Sequence, residues 1–261
     1  MITTLVIYTH NSETKLKQTL FSYTQLFNDI IVVDDCSDDE TVIYVQTHFK
    51  QCRVIQNPYF MGYAVSINTA VEATLSDWVT VVQADTQMKM IPIVDEGSSV
   101  AVIVPSHLDV SFSFRSARRS CEMASQLSHA ICIHKGKFIH TGGLDRLYYP
   151  GGYDWADFIY HVQQRGWDVV VDSQWQVDGA ADLIDYWTDY RDHRQLLLIK
   201  NELLLTWKST DSFLYWMMHV GVMFMSLFLF RILLLRSFFY AFGQWGPLCE
   251  SRRYRLPIVL S

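Results

Sequence analysis

The chain has 261 residues, long enough for one large domain or for a domain with an appendage. Hydrophobic residues make up 50% and charged residues 18%, which excludes a disordered chain. The net charge of -6 argues against nucleic acid as a partner.

Thr3 to Thr9 reads as a strand, and Asn11 or Ser12 as the cap of a following helix with Leu16, Leu20 and Tyr23 at helical spacing. Ile30-Ile31-Val32-Val33 is an aliphatic run of the kind found in strands buried on both faces. It ends in Asp34-Asp35, before a turn of Cys36-Ser37-Asp38-Asp39. Residues 40–50 predict a second helix and Arg53 to Gln56 a third strand. A loop at 57–62, a helix from Tyr63 to about Leu75 and a strand at 78–82 follow, the last ending in Gln83-Ala84-Asp85. This alternation implies βαβ units and a mainly parallel sheet with right-handed crossovers.

Ligands of such sheets bind beyond the carboxyl ends of the strands. Asp34, Asp35 and Asp85 are therefore expected to converge on one rim. Three carboxylates repel one another unless a cation sits among them, and a divalent ion bridging a phosphate would meet that need. Further on, Arg115, Arg118 and Arg119 form either a phosphate contact or a solvated face. His107, His129, His134 and His140 lack ligand spacing and read as structural. The five scattered cysteines show no CxxC or Cys/His spacing, so neither a zinc site nor a disulfide framework is expected. The first residues lack the basic and apolar stretches of a secretory leader.

Thr9-His10-Asn11, Val32 through Thr41, Asn57 through Gly62 to Asn68, and Gln83-Ala84-Asp85 resemble the ordered motifs of family 2 glycosyltransferases with the GT-A fold. Gly142-Gly143-Leu144-Asp145, Asp154-Trp155-Ala156-Asp157 with Arg165-Gly166-Trp167, and Leu198 through Leu205 extend the similarity. The last segment is similar to one in rhamnosyltransferase-like members. The resemblance covers roughly residues 2 to 208. It implies an α/β fold with a GT-A (Rossmann-like) sheet flanked by helices, a nucleotide-diphosphate sugar donor, and Mg²⁺ or Mn²⁺ on the diphosphate. It implies that Thr9, His10 and Asp35 hold base and ribose, that Asp34 supports that pocket, and that Gly62 lets the backbone approach the donor. Asn11, Asn68 and Gln83 belong to the same donor motifs. Asp85 would bind the metal, while Gly142, Gly143, Asp145 and Trp155 would border the acceptor.

This sequence departs from the family pattern at several positions. Tyr8 stands where proline is usual and Cys36 where glycine is usual. Gln83 replaces an aspartate, leaving a neutral amide oxygen in its place. Asp178 is expected to restore that charge at the metal. Transfer also needs a base for the acceptor hydroxyl. Asp157 is the first choice and Asp154 the second, three residues apart on one helical face; the plain alternative is that both cap a helix starting near Phe158. One base opposite the leaving group gives inversion, which the resemblance also implies.

Composition shifts after Lys208. Ser212 to Phe230 carries no Asp, Glu, Lys or Arg, and at 1.5 Å per residue its length approaches a bilayer's thickness. Arg231, Arg236, Arg252, Arg253 and Arg255 follow. A span or hairpin, a helix pair lying in one leaflet, and an oligomer interface all fit. In-plane attachment at the cytosolic face of a membrane is favoured, because it would bring a domain at residues 1–208 to a lipid-linked acceptor. The expected protein is an inverting glycosyltransferase acting on a glycan or lipid-linked hydroxyl. Gln83 and Trp155 leave room for a non-catalytic binding protein, and the acceptor class also leaves open protein or nucleic acid.

Overall fold

The structure, a computed structural model, describes residues 3–93, 99–106, 129–178, 193–209, 213–228 and 232–255. Nine strands are present among them: β1 (Thr3–Thr9), β2 (Asp29–Asp34), β3 (Arg53–Gln56), β4 (Trp78–Gln83), β5 (Gln87–Met88), β6 (Val100–Pro105), β7 (Ala130–His134), β8 (Asp168–Asp172) and β9 (Val177–Asp178). The helices are α1 (Glu13–Leu26), α2 (Thr41–His48), α3 (Tyr63–Glu72), α4 (Lys135–Thr141), α5 (Asp154–Gln164), α6 (Arg194–Ser209), α7 (Phe213–Phe228), α8 (Ile232–Phe242) and α9 (Trp245–Arg255).

Seven strands form one sheet in the order β3-β2-β1-β4-β7-β6-β8. β7 runs antiparallel to both neighbours; every other pairing is parallel. The expected mainly parallel α/β sheet is therefore present. Side-chain alternation along β1 divides the interior into two layers. Val6 and Tyr8 face a core with α3, α4 and α5, including Tyr63, Phe138, Trp155 and Phe158. Leu5 and Ile7 face a core with α1 and α2, including Leu16, Leu20, Tyr23 and Val45. A third core joins Leu147, Tyr148 and Tyr153 to Leu204 and Trp207 of α6, Phe238 and Ala241 of α8, and Leu248 of α9. The C-terminal helices thus pack onto the segment that carries the 154–157 carboxylates.

Several local expectations shift. The helix expected at 40–50 is Thr41–His48, and the one expected to reach Leu75 stops at Glu72. Ser12 makes no side-chain cap bond to α1. Asp39 instead accepts from the Glu13 amide at 3.1 Å, so a residue from the far turn satisfies one of the helix's open donors. The helix expected to begin near Phe158 begins at Asp154, which places Asp154 and Asp157 in its first turn. Among the described residues no helix is long and apolar enough to cross a membrane; the apolar C-terminal stretch falls into α7 and α8. Arg115, Arg118, Arg119 and His107 lie outside the described residues.

Candidate active site

The carboxyl ends of β1, β2 and β4 lie side by side, with Thr9 opposite Asp34 and Tyr8 opposite Gln83 in register. Asp34 and Asp35 are completely buried there. Asp34 accepts from Thr9 Oγ1 (3.1 Å), from the Ser37 amide (3.0 Å) and from the Ser37 hydroxyl. Asp35 accepts four bonds: Asn57 Nδ2 (2.8 Å), Met61 N (2.8 Å), Gly62 N (2.9 Å) and the Tyr8 hydroxyl (3.1 Å). It is the anchor of the 57–62 loop. His10, 3% exposed, bonds the Asp35 carbonyl through Nδ1 at 2.8 Å and packs edge-on to Phe60. Asn11 reaches across the turn, its Oδ1 accepting from Asp38 N at 2.8 Å.

The expected convergence of three carboxylates on one ion therefore needs correcting. Asp34 and Asp35 spend their oxygens on the chain's own donors. Asp35 turns toward the α3 layer, where Tyr8 and Gly62 lie, whereas Asp85 turns toward α1, with Lys15 Nζ 3.5 Å from its Oδ2. Asp85 Oδ1 has no hydrogen-bond partner, and neither has Gln83 Nε2, though both are buried. Asp178 is exposed on β9, opposite Gln87 and so two residues along β5's approach from Asp85. Among the described residues no three His, Cys, Asp or Glu side chains group closely enough to hold a metal unaided. One or two carboxylates plus phosphate oxygens is nonetheless the ordinary way Mg²⁺-like ions are held. The partnerless Asp85 oxygen fits such a shared site.

Two glycines mark close approaches. Gly62 has φ 86° and a Cβ there would lie 2.7 Å from the Tyr149 ring, so the backbone is approached by Tyr149 and Pro150 and its amide is spent on Asp35. Gly143, at φ 68°, abuts Asn68. Asn68 pairs like a strand with Leu144, donating to its carbonyl and accepting from its amide, both at 2.8 Å. It locks α3 to the turn in which Gly142, at φ 87°, ends α4. Cys36 adopts φ 60°, the conformation for which glycine is the usual choice.

The 154–157 carboxylates differ sharply. Asp157 accepts from Lys208 Nζ (2.7 Å) and Tyr148 OH (3.2 Å), with His161 Nε2 3.4 Å away. Lys208, 1% exposed at its side chain, also binds Asp145 Oδ2 at 2.7 Å, and Ser251 of α9 donates to the same oxygen. Asp154 accepts the Gly152 amide at Oδ2 (2.7 Å), while its buried Oδ1 has no partner. Burial pushes its carboxyl up to about 7, with the Asp145 and Asp157 charges adding to the rise. Trp155 is a core residue, 1% exposed, whose indole donates to Tyr63 OH at 2.9 Å; its side chain does not reach an acceptor surface.

Sequence reasoning missed the side chains that hold this region. Lys200 donates to the Tyr149 carbonyl (3.0 Å), and Asn201 to the carbonyls of Tyr148 and Gly151 (2.8 Å each). Burial lowers Lys200 to about 8, partly offset by the Asp154 charge. The signal was spacing: Leu197, Lys200, Asn201, Leu204 and Lys208 form one buried face of α6.

A mainly parallel sheet with acidic residues at adjacent carboxyl ends and one antiparallel insertion is the architecture of GT-A proteins. Residues 4–143 match the family model described as glycosyl transferase family 2, and the chain belongs to that family. Solved structures agree in fold. A mannosyltransferase, PcManGT from Pyrobaculum calidifontis, in complex with GDP-Man and Mn²⁺, superimposes with a TM-score of 0.53 at 15% identity, over 76% of this chain and 61% of that one. GalNAc-T7 with UDP, GalNAc and Mn²⁺ gives 0.57 at 14%, over 68% and 43%. S. aureus TarS 1-349 in complex with UDP gives 0.53 at 16%, over 77% and 65%. The chain thus spans less than two thirds of each of these proteins. Comparison with curated protein sequences returned no match.

Proposed function

We propose that the chain is an inverting glycosyltransferase that moves a sugar from a nucleotide-diphosphate donor to a hydroxyl of a glycan or lipid-linked acceptor. Family membership supports the reaction class. One observation carries the assignment of roles. Asp34, Asp35 and Asp157 are satisfied by the protein's own donors, whereas Asp85 and Asp154 each keep one buried oxygen without a partner.

Asp154 is then the base rather than Asp157, whose charge is held by Lys208. A carboxyl near 7 sits at the operating pH, where a base is most effective. Its free Oδ1 takes the acceptor hydroxyl's proton as that oxygen attacks the anomeric carbon from the side opposite the diphosphate. Asp85 would hold Mg²⁺ or Mn²⁺ on the diphosphate, with Asp178 as the second carboxylate, and the ion would supply positive charge to the leaving group. Thr9, His10, Asp34 and Asp35 shape the donor rim from beneath, and Asn11, Cys36 and Ser37 form its more open edge.

Membrane attachment belongs to the same proposal. Met217, Met218 and Phe224 on α7, and Ile232, Phe239 and Tyr240 on α8, are exposed apolar side chains, and Arg236 lies among them. Such a face suits the interfacial layer of an anionic, cytosolic leaflet; a homo-oligomer contact is the competing use, and flotation with anionic vesicles separates the two. The transfer reading is tested by turnover of UDP-, GDP- and dTDP-sugars with and without Mn²⁺. Donor-dependent turnover lost in Asp154→Asn supports it. Tight nucleotide binding with no turnover from any sugar would instead favour a non-catalytic binding protein.

A further inference from the structure

Residues 148–152 form a strap between α5, α6 and the 57–62 loop, and each carbonyl from Tyr148 to Gly151 has a partner on another helix. Asn201 Nδ2 donates to those of Tyr148 and Gly151 at 2.8 Å each, and Lys200 Nζ to that of Tyr149 at 3.0 Å. The Tyr63 amide, at the start of α3, donates to that of Pro150 at 2.9 Å. At the end of the strap the Gly152 amide donates to Asp154 Oδ2 at 2.7 Å. In its middle the Tyr149 ring lies against Gly62 and edge-on to Phe60, with 6.0 Å between ring centroids. Met61 and Gly62 of that loop are the residues whose amides Asp35 holds. The strap therefore touches Asp154 with its end and the donor loop with its side.

The two α6 side chains cost more than carbonyls require. Asn201 is completely buried and its Oδ1 has no partner among the described residues, so the amide is kept at a cost for the two bonds it donates. Lys200 is 3% exposed. Among the described residues its ammonium meets the Tyr149 carbonyl and the face of the Tyr240 ring, 5.8 Å from the centroid, but no carboxylate at ion-pair distance. A neutral donor would serve a buried carbonyl at lower cost. The Asp154 charge acts on Lys200, and such attraction is mutual. At Asp154 burial outweighs it, and the Asp145 and Asp157 charges oppose it too. The other ionisable groups there are His161 on the same helix, Tyr63 of α3 and Lys208 of α6. Lys208 is shared by Asp145 and Asp157, whereas Lys200 is tied to no other described carboxylate.

We propose that Lys200 and Asn201 are positioning residues for transfer: they fix the strap as one piece, so that Asp154 and the donor loop keep a set separation. The proposal rests on Asp154 being the base. The test is a carbon-13 NMR titration of the Asp154 carboxyl from pH 5 to 9 in the full chain labelled at aspartate, with the signal assigned by its loss in Asp154→Asn. Wild type is compared with Asn201→Ala and Lys200→Met, and Lys200→Gln replaces the latter if it does not fold. Turnover of UDP-, GDP- and dTDP-sugars with Mn²⁺ is followed over the same pH range. Asn201→Ala frees the Gly152 amide from Asp154, and the Lys200 variants remove a positive charge. Both changes disfavour the carboxylate, so each midpoint should rise from about 7 by about half a unit or more. The rising limb of the turnover profile should move with it. kcat should fall about 10- to 100-fold, with donor KM changed less than about threefold. A purely structural role would lower stability and leave the Asp154 midpoint in place, and that result in the folded variants would overturn the proposal. So would a raised donor KM with kcat intact. Displaced midpoints in a chain that turns over no nucleotide sugar would keep the positioning of Asp154 and remove the transferase reading instead.

Discussion

Replacing Asp154 with asparagine separates its charge from its shape. The Gly152 amide can still donate to the side-chain oxygen, so the start of α5 is kept. What changes is the ionisable oxygen buried without a partner. A carboxyl raised from 3.8 to about 7 binds a proton in the folded chain that the unfolded chain has already released over that interval. The folded state then holds more protons than the unfolded one, so stability falls as pH rises from about 4 to 7 and is level above. The full shift corresponds to an upper bound of about 4 kcal/mol, which relaxation of the buried site would lower to about 2–3 kcal/mol. Denaturant unfolding of both proteins from pH 4 to 8 measures it. Asp154→Asn should match wild type within about 1 kcal/mol near pH 4 and exceed it by about 2–3 kcal/mol at pH 8. Its turnover should fall by about 10²- to 10⁴-fold, and wild-type turnover should rise through pH 7. A stability difference that does not vary with pH would refute the buried, partnerless carboxylate.

Lys208→Met should remove the cation that Asp145 and the buried Asp157 share and cost about 3–5 kcal/mol in denaturant unfolding, with Asp157→Asn restoring part of the loss in the double variant. Gly62→Ala should destabilise by more than about 2 kcal/mol, because the new methyl meets the Tyr149 ring and φ is 86°. Cys36→Gly should stabilise by up to about 1 kcal/mol in the same assay, since glycine takes φ 60° without strain, whereas Cys36→Val should destabilise.

The sheet was legible because its strands are buried on both faces and read as continuous aliphatic runs, as at Ile30 to Val33 and Trp78 to Val82. The order of the strand-end aspartates was legible for the same reason. What each aspartate does was not, because Asp34, Asp35 and Asp85 look alike in a chain and differ only in which donors the fold brings to them. Asp35 meets amides from a loop more than twenty residues away, and Asp157 meets a lysine fifty-one residues on. The resemblance places Trp155 at the border of the acceptor, yet α5 starts early enough to turn it into the core. Likewise Lys200 and Asn201 stood in a quoted motif, but their partners are backbone carbonyls, which no side-chain pattern announces.

Crystals grown with a nucleotide-diphosphate sugar and Mn²⁺ give the most direct test, through the anomalous signal of the ion. The proposed roles place Mn²⁺ at about 2.0–2.2 Å from Asp85 Oδ1, with the acceptor face of the sugar toward Asp154. Manganese bound at Asp34 or Asp35, or a donor seated with Asp154 on the diphosphate side of the anomeric carbon, would contradict them.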